Sequence, residues 1–474
     1  MNEQAKHLVA GVATAEITPL APVFLCGHPY APRMSTGVHD PLLSSAMYLE
    51  NRGNAALLMS LDILFLSPAD ALDLRARISA AAGVPEANVI VGCTHTHSGP
   101  VTVYRPQWDG TAAAQSPDPG YIERIKLQAV EAATKARSLA RPARLAWTSA
   151  DAAGVGGNRL SPDGLTDSET RVLAVRDARD GSLFGLVLEY GMHPAVLNEN
   201  STLVSSDFPH YTRKQLQTAF GPELVVLYFN GPSGNQSPQH FVKGQTFAEA
   251  ERLGRQLGAT VVGSVELLGD AAFEVNPELQ GGLRKVSLPR RQFPRVEAAE
   301  SLLKDIRAKV ERLKAEKASA VQIRAGEYEL FGAEEGAAMA RMQAQGRLEG
   351  AFSGYGTAEV QALRIGTACM AGLPGELAVE YGIEIKRRAA VKSCVASLVN
   401  GELQGHIATP AADAEGGCEA SCSLFRPEAG GLMVDAALAL IESLSGLPEK
   451  SSQKQPAAAG DHPPGGGVAA RQGA

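Results

Sequence analysis

Residues 89–100, VIVGCTHTHSGP, form the stretch of sequence that decides the fold. An apolar run typical of a buried strand ends in two histidines, His95 and His97, and small residues with a proline then stop the strand. A strand end fixes the backbone, so both imidazoles can be directed into one cleft, and neutral histidine is the commonest metal ligand. A polar turn with solvated histidines would have the same sequence. The rest of the chain must decide between a metal site and such a turn.

The region before this segment predicts a strand–helix–strand unit. Residues 55–65 are a long apolar strand candidate, Ser67 and Pro68 supply an N-cap and a first-turn proline, and Gly83 ends the helix. The right-handed crossover of such a unit makes its two strands parallel and places both histidines at a carboxyl edge, where functional groups of open α/β sheets collect. We therefore expect an α/β fold with a mixed, largely parallel sheet core flanked by helices.

Further strand candidates also end in polar residues. Residues 183–190 precede His193, a hairpin over residues 360–372 precedes Glu376, and residues 394–399 precede His406. Four separate strand exits thus carry His95 with His97, His193, Glu376 and His406. Random placement of ten histidines would rarely give this pattern.

Composition limits the class of protein. With 474 residues, 45% of them hydrophobic, and a net charge of -7, the chain can bury a large core and carries no dense basic stripe for nucleic acid. We expect one catalytic domain over residues 1–448, with no transmembrane segment and no secretion signal, and therefore a cytoplasmic location. Oligomeric state is not predicted.

Two regions are expected to lie outside the chemistry. A helical insertion is predicted at about residues 291–345, and the charge pattern of residues 294–317 fits a solvated amphipathic helix without a part in the site. Residues 449–474 are rich in proline, glycine, alanine and polar residues, which predicts a disordered tail because so little apolar area can be buried.

Several motifs together resemble a known family. They occur in the order AGVATAEITP, GVHDPL, GCTHTHSGP, MHPAVLNENSTLVSSDFP, YFNGPSGNQSP and LPGE. In this order they resemble the neutral/alkaline non-lysosomal ceramidase family, specifically its zinc-dependent N-terminal catalytic domain, over residues 8–446. The sequence looks like a short bacterial branch without the family's C-terminal immunoglobulin-like domain.

The resemblance implies a Zn²⁺ site and two further catalytic side chains. His95, His193 and Glu376 match zinc ligands, and His406 falls where the family has a tyrosine ligand. His97 matches the histidine beside the metal that polarises or protonates the substrate, and Arg159 matches an arginine near the scissile group. Zinc in such a set lowers the pKa of a bound water towards about 7.

Three positions depart from the family pattern. The GYxxT-type segment is here GHIAT, so that His406 replaces tyrosine. Gly231 stands where longer members have a serine once proposed as the nucleophile, and Asn235 replaces the aspartate of a Gly-Asp pair. We expect the metal to stay bound while proton handling or metal preference changes. A loop position for His406, facing water, is the alternative.

The predicted function is zinc-dependent hydrolysis of an amide (N-acyl) bond, with a small acyl amide or an N-acyl lipid as substrate. Ceramide as the substrate, and with it a role in sphingolipid metabolism, is a more specific expectation. Members of one family can act on different substrates. Two alternatives stay open. One is a metal-dependent esterase or sugar-ester hydrolase; the other is a non-catalytic, metal-stabilised binding protein.

Overall fold

A computed structural model describes residues 7–446, with the exception of 29–31, 110–113, 162, 417 and 422. The predicted tail at 449–474 lies outside these described residues. Among the described residues, no helix combines the length and the apolar character that crossing a bilayer requires.

The strands of the described chain belong to two larger sheets and four two-stranded pairs. In chain order they are β1 (Val9–Glu16), β2 (Phe24–Leu25), β3 (Arg33–Met34), β4 (Gly37–Val38), β5 (Leu43–Asn51), β6 (Asn54–Leu61), β7 (Val89–Cys93), β8 (Arg141–Asp151), β9 (Gly157–Asn158), β10 (Glu169–Asp177), β11 (Leu183–Tyr190), β12 (Leu203–Val204), β13 (Val225–Asn230), β14 (Gln236–Ser237), β15 (Leu279–Ser287), β16 (Thr357–Ile365), β17 (Ala368–Gly372), β18 (Glu376–Leu377), β19 (Lys392–Ala396) and β20 (His406–Ile407).

The helices lie outside the sheets or between consecutive strands. They are α1 (Pro68–Ala82), α2 (Pro119–Ser138), α3 (Phe208–Phe220), α4 (Phe247–Glu266), α5 (Val296–Ala315), α6 (Ala320–Ala344), α7 (Leu348–Ala351), α8 (Val379–Arg388), α9 (Pro410–Glu415), α10 (Cys418–Ser421) and α11 (Glu428–Leu444).

The main sheet has eight strands in the order β13-β11-β10-β8-β1-β5-β6-β7. Helices flank it, which confirms the predicted α/β class with a mixed sheet. The expected predominance of parallel pairs is wrong for this sheet, because only the outermost pairs, β13 with β11 and β7 with β6, are parallel. The interior neighbours are antiparallel, and two of these pairs, β5 with β6 and β10 with β11, are joined by short turns that leave no room for a crossover helix.

The predicted strand–helix–strand unit is present as β6, α1 and β7. The Ser67 side chain accepts a hydrogen bond from Asp70 N at the start of α1, Pro68 is in the first turn, and Gly83 takes the left-handed conformation (φ 64°) after the last turn. β6 and β7 pair in parallel, with Leu61 beside Cys93. This unit directs the chain after Cys93 towards one end of the sheet.

The main sheet curves until its two edges approach each other. Ser60 Oγ in β6 donates a 2.5 Å hydrogen bond to Tyr228 O in β13, although these strands lie near opposite ends of the strand order. Gly92 lies against this contact, where a Cβ atom would come within 2.8 Å of the Phe229 ring. The absence of a side chain at Gly92 therefore allows the edges to come together.

The segment after β19 joins the two edges. Ser397 N donates to Asn230 O in β13 at 2.8 Å, and Asn400 N donates to Val91 O in β7 at 3.2 Å. The carboxyl ends of β7 and β13 thus meet the chain that leads to His406. The curvature explains how residues far apart in the strand order can share a site.

A second sheet, β15-β16-β17-β19, packs on the first. One cluster of buried side chains contains residues of both sheets, including Leu58 and Ile90 from the first and Leu363 and Met370 from the second. The predicted helical segment contains α5 and α6, which are antiparallel neighbours joined by a short turn with Ser319 as the N-cap of α6.

Candidate active site

His95 lies two residues beyond β7, at a backbone position that ordinary side chains rarely occupy. Its φ is 71°, in the left-handed region. The ring is almost fully buried, and its Nδ1 lies 3.1 Å from Leu64 O. A carbonyl oxygen can only accept, so Nδ1 carries the proton and the Nε2 lone pair faces inward.

His193 and His97 are held in the same way. His193 Nδ1 lies 2.9 Å from Gln236 O, and His97 Nδ1 lies 2.9 Å from Gly27 O. The ring centroid of His95 is 4.6 Å from that of His193 and 5.0 Å from that of His97. Three imidazoles are therefore oriented by backbone carbonyls, with Nε2 left for a partner inside the site.

Glu376 stands at the centre of this group. Its Oε2 lies 3.2 Å from His95 Nε2, 3.4 Å from His193 Nε2 and 3.4 Å from His406 Nδ1. β18 and β20 pair in parallel with Glu376 directly beside His406, which fixes the last of these contacts. The four residues from separate strand exits thus converge on one point.

The electrostatics of the group favour neutral rings and an ionised carboxylate. Burial, together with the neighbouring histidines, holds the pKa of His97 well below its usual value, and burial lowers the pKa of His193 to about 3. Burial also lowers the pKa of His406. Burial alone would raise the pKa of Glu376, but positive charge on the surrounding imidazoles opposes this effect and holds the pKa well below the ordinary range. Neutral imidazoles and a carboxylate are the forms that bind metals.

The spacing of the donors suits a tetrahedral metal site. Two ligands at about 2.1 Å from one zinc lie about 3.4 Å apart, close to the distances between Glu376 and its three histidines. His95 Nε2, His97 Nε2 and His406 Nδ1 are all buried without a hydrogen-bond partner among the described residues. Such buried nitrogens are costly unless something binds them.

A second grouping shares two of the same residues. One ring nitrogen from each of His95, His97 and His193 lies within 4.8 Å of the others, which also suits a metal ion. His97 is thus close enough to compete with Glu376 or His406 as a ligand. The two groupings differ in which side chains beyond His95 and His193 complete the site.

Arg159 follows β9 and contacts His406 from the far side. Its Nη2 lies 3.2 Å from His406 Nε2, and its Nε donates to Glu419 Oε1 at 2.8 Å. An arginine N–H can only donate, so this contact favours a proton on His406 Nδ1, whereas a metal at Nδ1 requires the proton on Nε2. Glu419 Oε2 is buried without a hydrogen-bond partner among the described residues and provides an acceptor in this corner.

Glu419 is a functional candidate that the sequence did not reveal. It lies 260 residues after Arg159, in the four-residue helix α10, with only 6% of its surface exposed. No strand exit or motif marks it. Its acidic side chain could have been noticed only by asking which carboxylate neutralises Arg159.

The turn after β13 plays a structural part. A Cβ atom on Gly231 would lie 2.0 Å from Glu189 Oε1, so no side chain fits at this position. Ser233 Oγ accepts from Asn230 Nδ2 at 2.8 Å, and Asn235 Oδ1 accepts from Val379 N at 3.0 Å. These contacts hold the turn against the start of α8 rather than presenting a nucleophile.

All six predicted site residues line one cavity of about 590 Å³. One wall comes from α6, through Tyr328, Leu330 and Phe331, and the Arg159 guanidinium lies 5.6 Å from the centre of the Tyr328 ring. Lys314 of α5 also lines the cavity. The helical segment was expected to have no part in the site, and this expectation is wrong. The charge pattern of residues 294–317 did not indicate that the following helix, α6, turns an apolar face to the cavity.

Comparison with solved structures identifies a similar fold. The crystal structure of neutral ceramidase from Pseudomonas aeruginosa matches with a TM-score of 0.70 at 20% identity, over 93% of this chain and 75% of that chain. A structure described as "Ceramidase complexed with C2" matches with a TM-score of 0.69 at 18% identity, over 92% and 76%. No family profile and no curated protein sequence matches this chain. The chain therefore has the fold of the neutral ceramidase structures, as its motifs led us to expect.

Proposed function

We propose that this protein is a ceramidase-like, zinc-dependent hydrolase that cleaves an amide (N-acyl) bond. The observation that carries the proposal is the position of Glu376 Oε2, within 3.2 to 3.4 Å of a nitrogen from each of His95, His193 and His406. A carboxylate with two or three imidazoles is a donor set of catalytic zinc sites. The similarity in fold to neutral ceramidases supports the same assignment.

In this proposal His95, His193, Glu376 and His406 hold the metal. The carbonyls of Leu64 and Gln236 fix the first two rings by hydrogen bonds of the kind that orient metal-binding histidines. Zinc in such a site supplies Lewis acidity and a water of lowered pKa. For His406 to offer Nδ1, its proton must reside on Nε2, next to the pair formed by Arg159 and Glu419.

His97 and Arg159 act on the substrate. The Gly27 carbonyl fixes His97 Nδ1, so its buried Nε2 is the atom that can exchange a proton with the leaving nitrogen or polarise the carbonyl. Arg159 lines the same cavity and is held by Glu419, which places a fixed positive charge near the developing oxyanion. Contributions of this kind are each worth about 10²-fold or more in rate.

The cavity suits an acyl chain. Phe65, Trp108, Leu330 and Phe331 supply apolar wall, while the candidate ligands lie at the polar end. We therefore propose a small acyl amide or an N-acyl lipid as substrate, with ceramide as one member of that class. The cytoplasmic location stays a prediction from the sequence.

A matched substrate panel tests the proposal. Zinc-loaded wild type and Glu376→Gln would be incubated with N-dodecanoylethanolamine and with dodecanoic acid esters of similar size, and released amine, alcohol and fatty acid would be measured by mass spectrometry. We expect amine release by the wild type and a loss of at least 100-fold in Glu376→Gln. Release of alcohol alone would replace the amidase with an esterase. Zinc binding without turnover of either class would favour a binding protein.

A further inference from the structure

Arg105 is a positive charge in the cavity lining for which the described residues provide no ion-pair partner. Its guanidinium carbon lies 5.1 Å from the centre of the Phe65 ring and 5.5 Å from that of Trp108. Among the described residues it forms no ion pair and no side-chain hydrogen bond. The aromatic rings hold the guanidinium in place while leaving its N–H donors unused.

The other arginines that line the cavity are paired. Arg159 pairs with Glu419 at 2.8 Å, and Arg324 pairs with Glu199 at 3.1 Å. Lys314 and Lys243 line the cavity as well, but both are exposed at the surface. A buried or half-buried charge is normally paired, so the unpaired state of Arg105 is unusual.

Two carboxylates whose charges act on Arg105 already have other hydrogen-bond donors. Glu335 Oε1 accepts from Trp108 Nε1 at 2.8 Å, and Glu402 Oε1 accepts from Gln404 Nε2 at 3.2 Å. Burial lowers the pKa of Arg105, but Glu402, Glu335 and Glu376 act on it from a distance and raise the pKa overall. Arg105 lines the same cavity as Glu376 of the candidate metal site.

We propose that Arg105 binds a carboxylate of the substrate, so that the preferred substrates are anionic acyl amides such as N-acyl amino acids. A guanidinium presents paired N–H donors that match the two oxygens of a carboxylate. The inference rests on the proposed amidase function, because it names the substrate class of the same cavity. It goes beyond that function by predicting discrimination against neutral amides.

The surroundings favour a monoanion over a phosphate. Among the described residues that line the cavity, Arg105 is the unpaired guanidinium, and Glu335, Glu376 and Glu402 supply negative potential around it. That potential opposes any anion, and it opposes a dianionic phosphate more strongly than a carboxylate of single charge.

Two substrates of similar size test the proposal by turnover. N-dodecanoylglycine carries a carboxylate on the amine half, and N-dodecanoylethanolamine is its neutral counterpart. Arg105→Gln should raise KM for the glycine conjugate by about 10- to 100-fold, the range expected for a charge-assisted hydrogen bond, and change the neutral substrate less than 3-fold. Arg105→Lys should lie between wild type and Arg105→Gln. Arg255→Gln, on the exposed face of α4, makes the same change in net charge and should change neither.

A third substrate locates the carboxylate. The monoethanolamide of dodecanedioic acid carries its carboxylate at the far end of the acyl chain. If Arg105→Gln affects this compound and not the glycine conjugate, the carboxylate belongs to the acyl half. Equal effects on charged and neutral substrates would overturn the proposal.

Binding separates this inference from the proposed function. Isothermal titration of metal-free protein with N-dodecanoylglycine and N-dodecanoylethanolamine measures the role of Arg105 even if no amide is cleaved. Tighter binding of the charged ligand, lost in Arg105→Gln and kept in Arg255→Gln, supports the carboxylate site without turnover. Equal affinities for both ligands in the wild type would contradict it, whatever the result of the activity assay.

Discussion

Glu376 Oε2 lies 3.4 Å from His406 Nδ1 because β18 and β20 pair in parallel with these two residues side by side. In ceramidases, to which the motifs of this chain are similar, the matching position is expected to be a tyrosine. By that resemblance, this chain has an imidazole where an ionisable phenol is expected. The contact makes His406 the most informative single position of the proposed site.

Replacing His406 tests whether this position binds metal. His406→Ala should weaken zinc binding by at least 10-fold, because one donor is removed while His95, His193 and Glu376 remain. His406→Tyr should retain zinc, since the register with Glu376 places the phenol in the same corner. Competition with a zinc-chelating dye measures both affinities. Unchanged affinity in His406→Ala would remove His406 from the ligand set.

Glu419→Gln tests the support of Arg159. Loss of the negative charge would weaken the hold on Arg159 Nε and its orientation beside His406, so we expect kcat to fall by about 10-fold with zinc content near that of the wild type. Glu415→Gln, an exposed change in the neighbouring helix α9, is the matched control. A change in KM alone, with kcat unaltered, would contradict a role in orienting Arg159.

The buried pair of Asp62 and Arg213 is predicted to stabilise the end of β6. Asp62 is fully buried, and its oxygens accept from Arg213 Nη1 at 2.8 Å, from Arg213 Nη2 at 2.5 Å and from Leu43 N at 2.9 Å. Asp62→Asn should lower the free energy of unfolding by about 3 to 5 kcal/mol, because it leaves a buried guanidinium without its counter-charge. Urea denaturation measures the loss.

An exposed ion pair provides the control for that change. Arg255 and Glu251 form an i, i+4 pair on α4 with 64% and 41% of their side chains exposed, and its removal should cost no more than about 0.5 kcal/mol. If Asp62→Asn lowers the free energy of unfolding no more than removal of the surface pair does, the buried pair does not stabilise the fold as predicted.

Glu189 should make stability fall as pH rises. Burial raises its pKa to about 7 from 4.5, although Lys386 opposes the shift. The folded protein therefore keeps a proton that the unfolded chain releases above pH 4.5, so the free energy of unfolding decreases between pH 4.5 and 7, by up to about 3 kcal/mol. Glu189→Gln should flatten this slope in denaturation curves at pH 5 and pH 7.5. An unaltered slope would mean that another group is responsible.

The convergence of the candidate site residues was easier to predict from the sequence than the strand directions of the sheet. His95, His193, Glu376 and His406 were predicted to converge because each follows an apolar strand, and a strand end is a local feature that single-sequence patterns reveal. The direction of neighbouring strands is not local. Interior strands such as β5 and β11 are buried on both faces, which is also typical of parallel strands.

Residues that depend on distant packing were missed for the same reason. Glu419 meets Arg159 only after the chain between them has folded, and Arg105 acquires its setting from Phe65 and Trp108. The apolar face of α6 became visible only where Leu330 and Phe331 line the cavity. Neither residue type nor spacing marks such positions in advance.

Zinc content per chain tests the central claim most directly. Wild type, His95→Ala, His193→Ala, Glu376→Ala and His97→Ala would be purified identically, dialysed against trace zinc and measured by atomic emission, with circular dichroism to confirm that each is folded. We predict about one zinc in the wild type and in His97→Ala, and a large loss in the other three variants. Full zinc retention in all three, or loss in His97→Ala with retention in Glu376→Ala, would contradict the proposed ligand set.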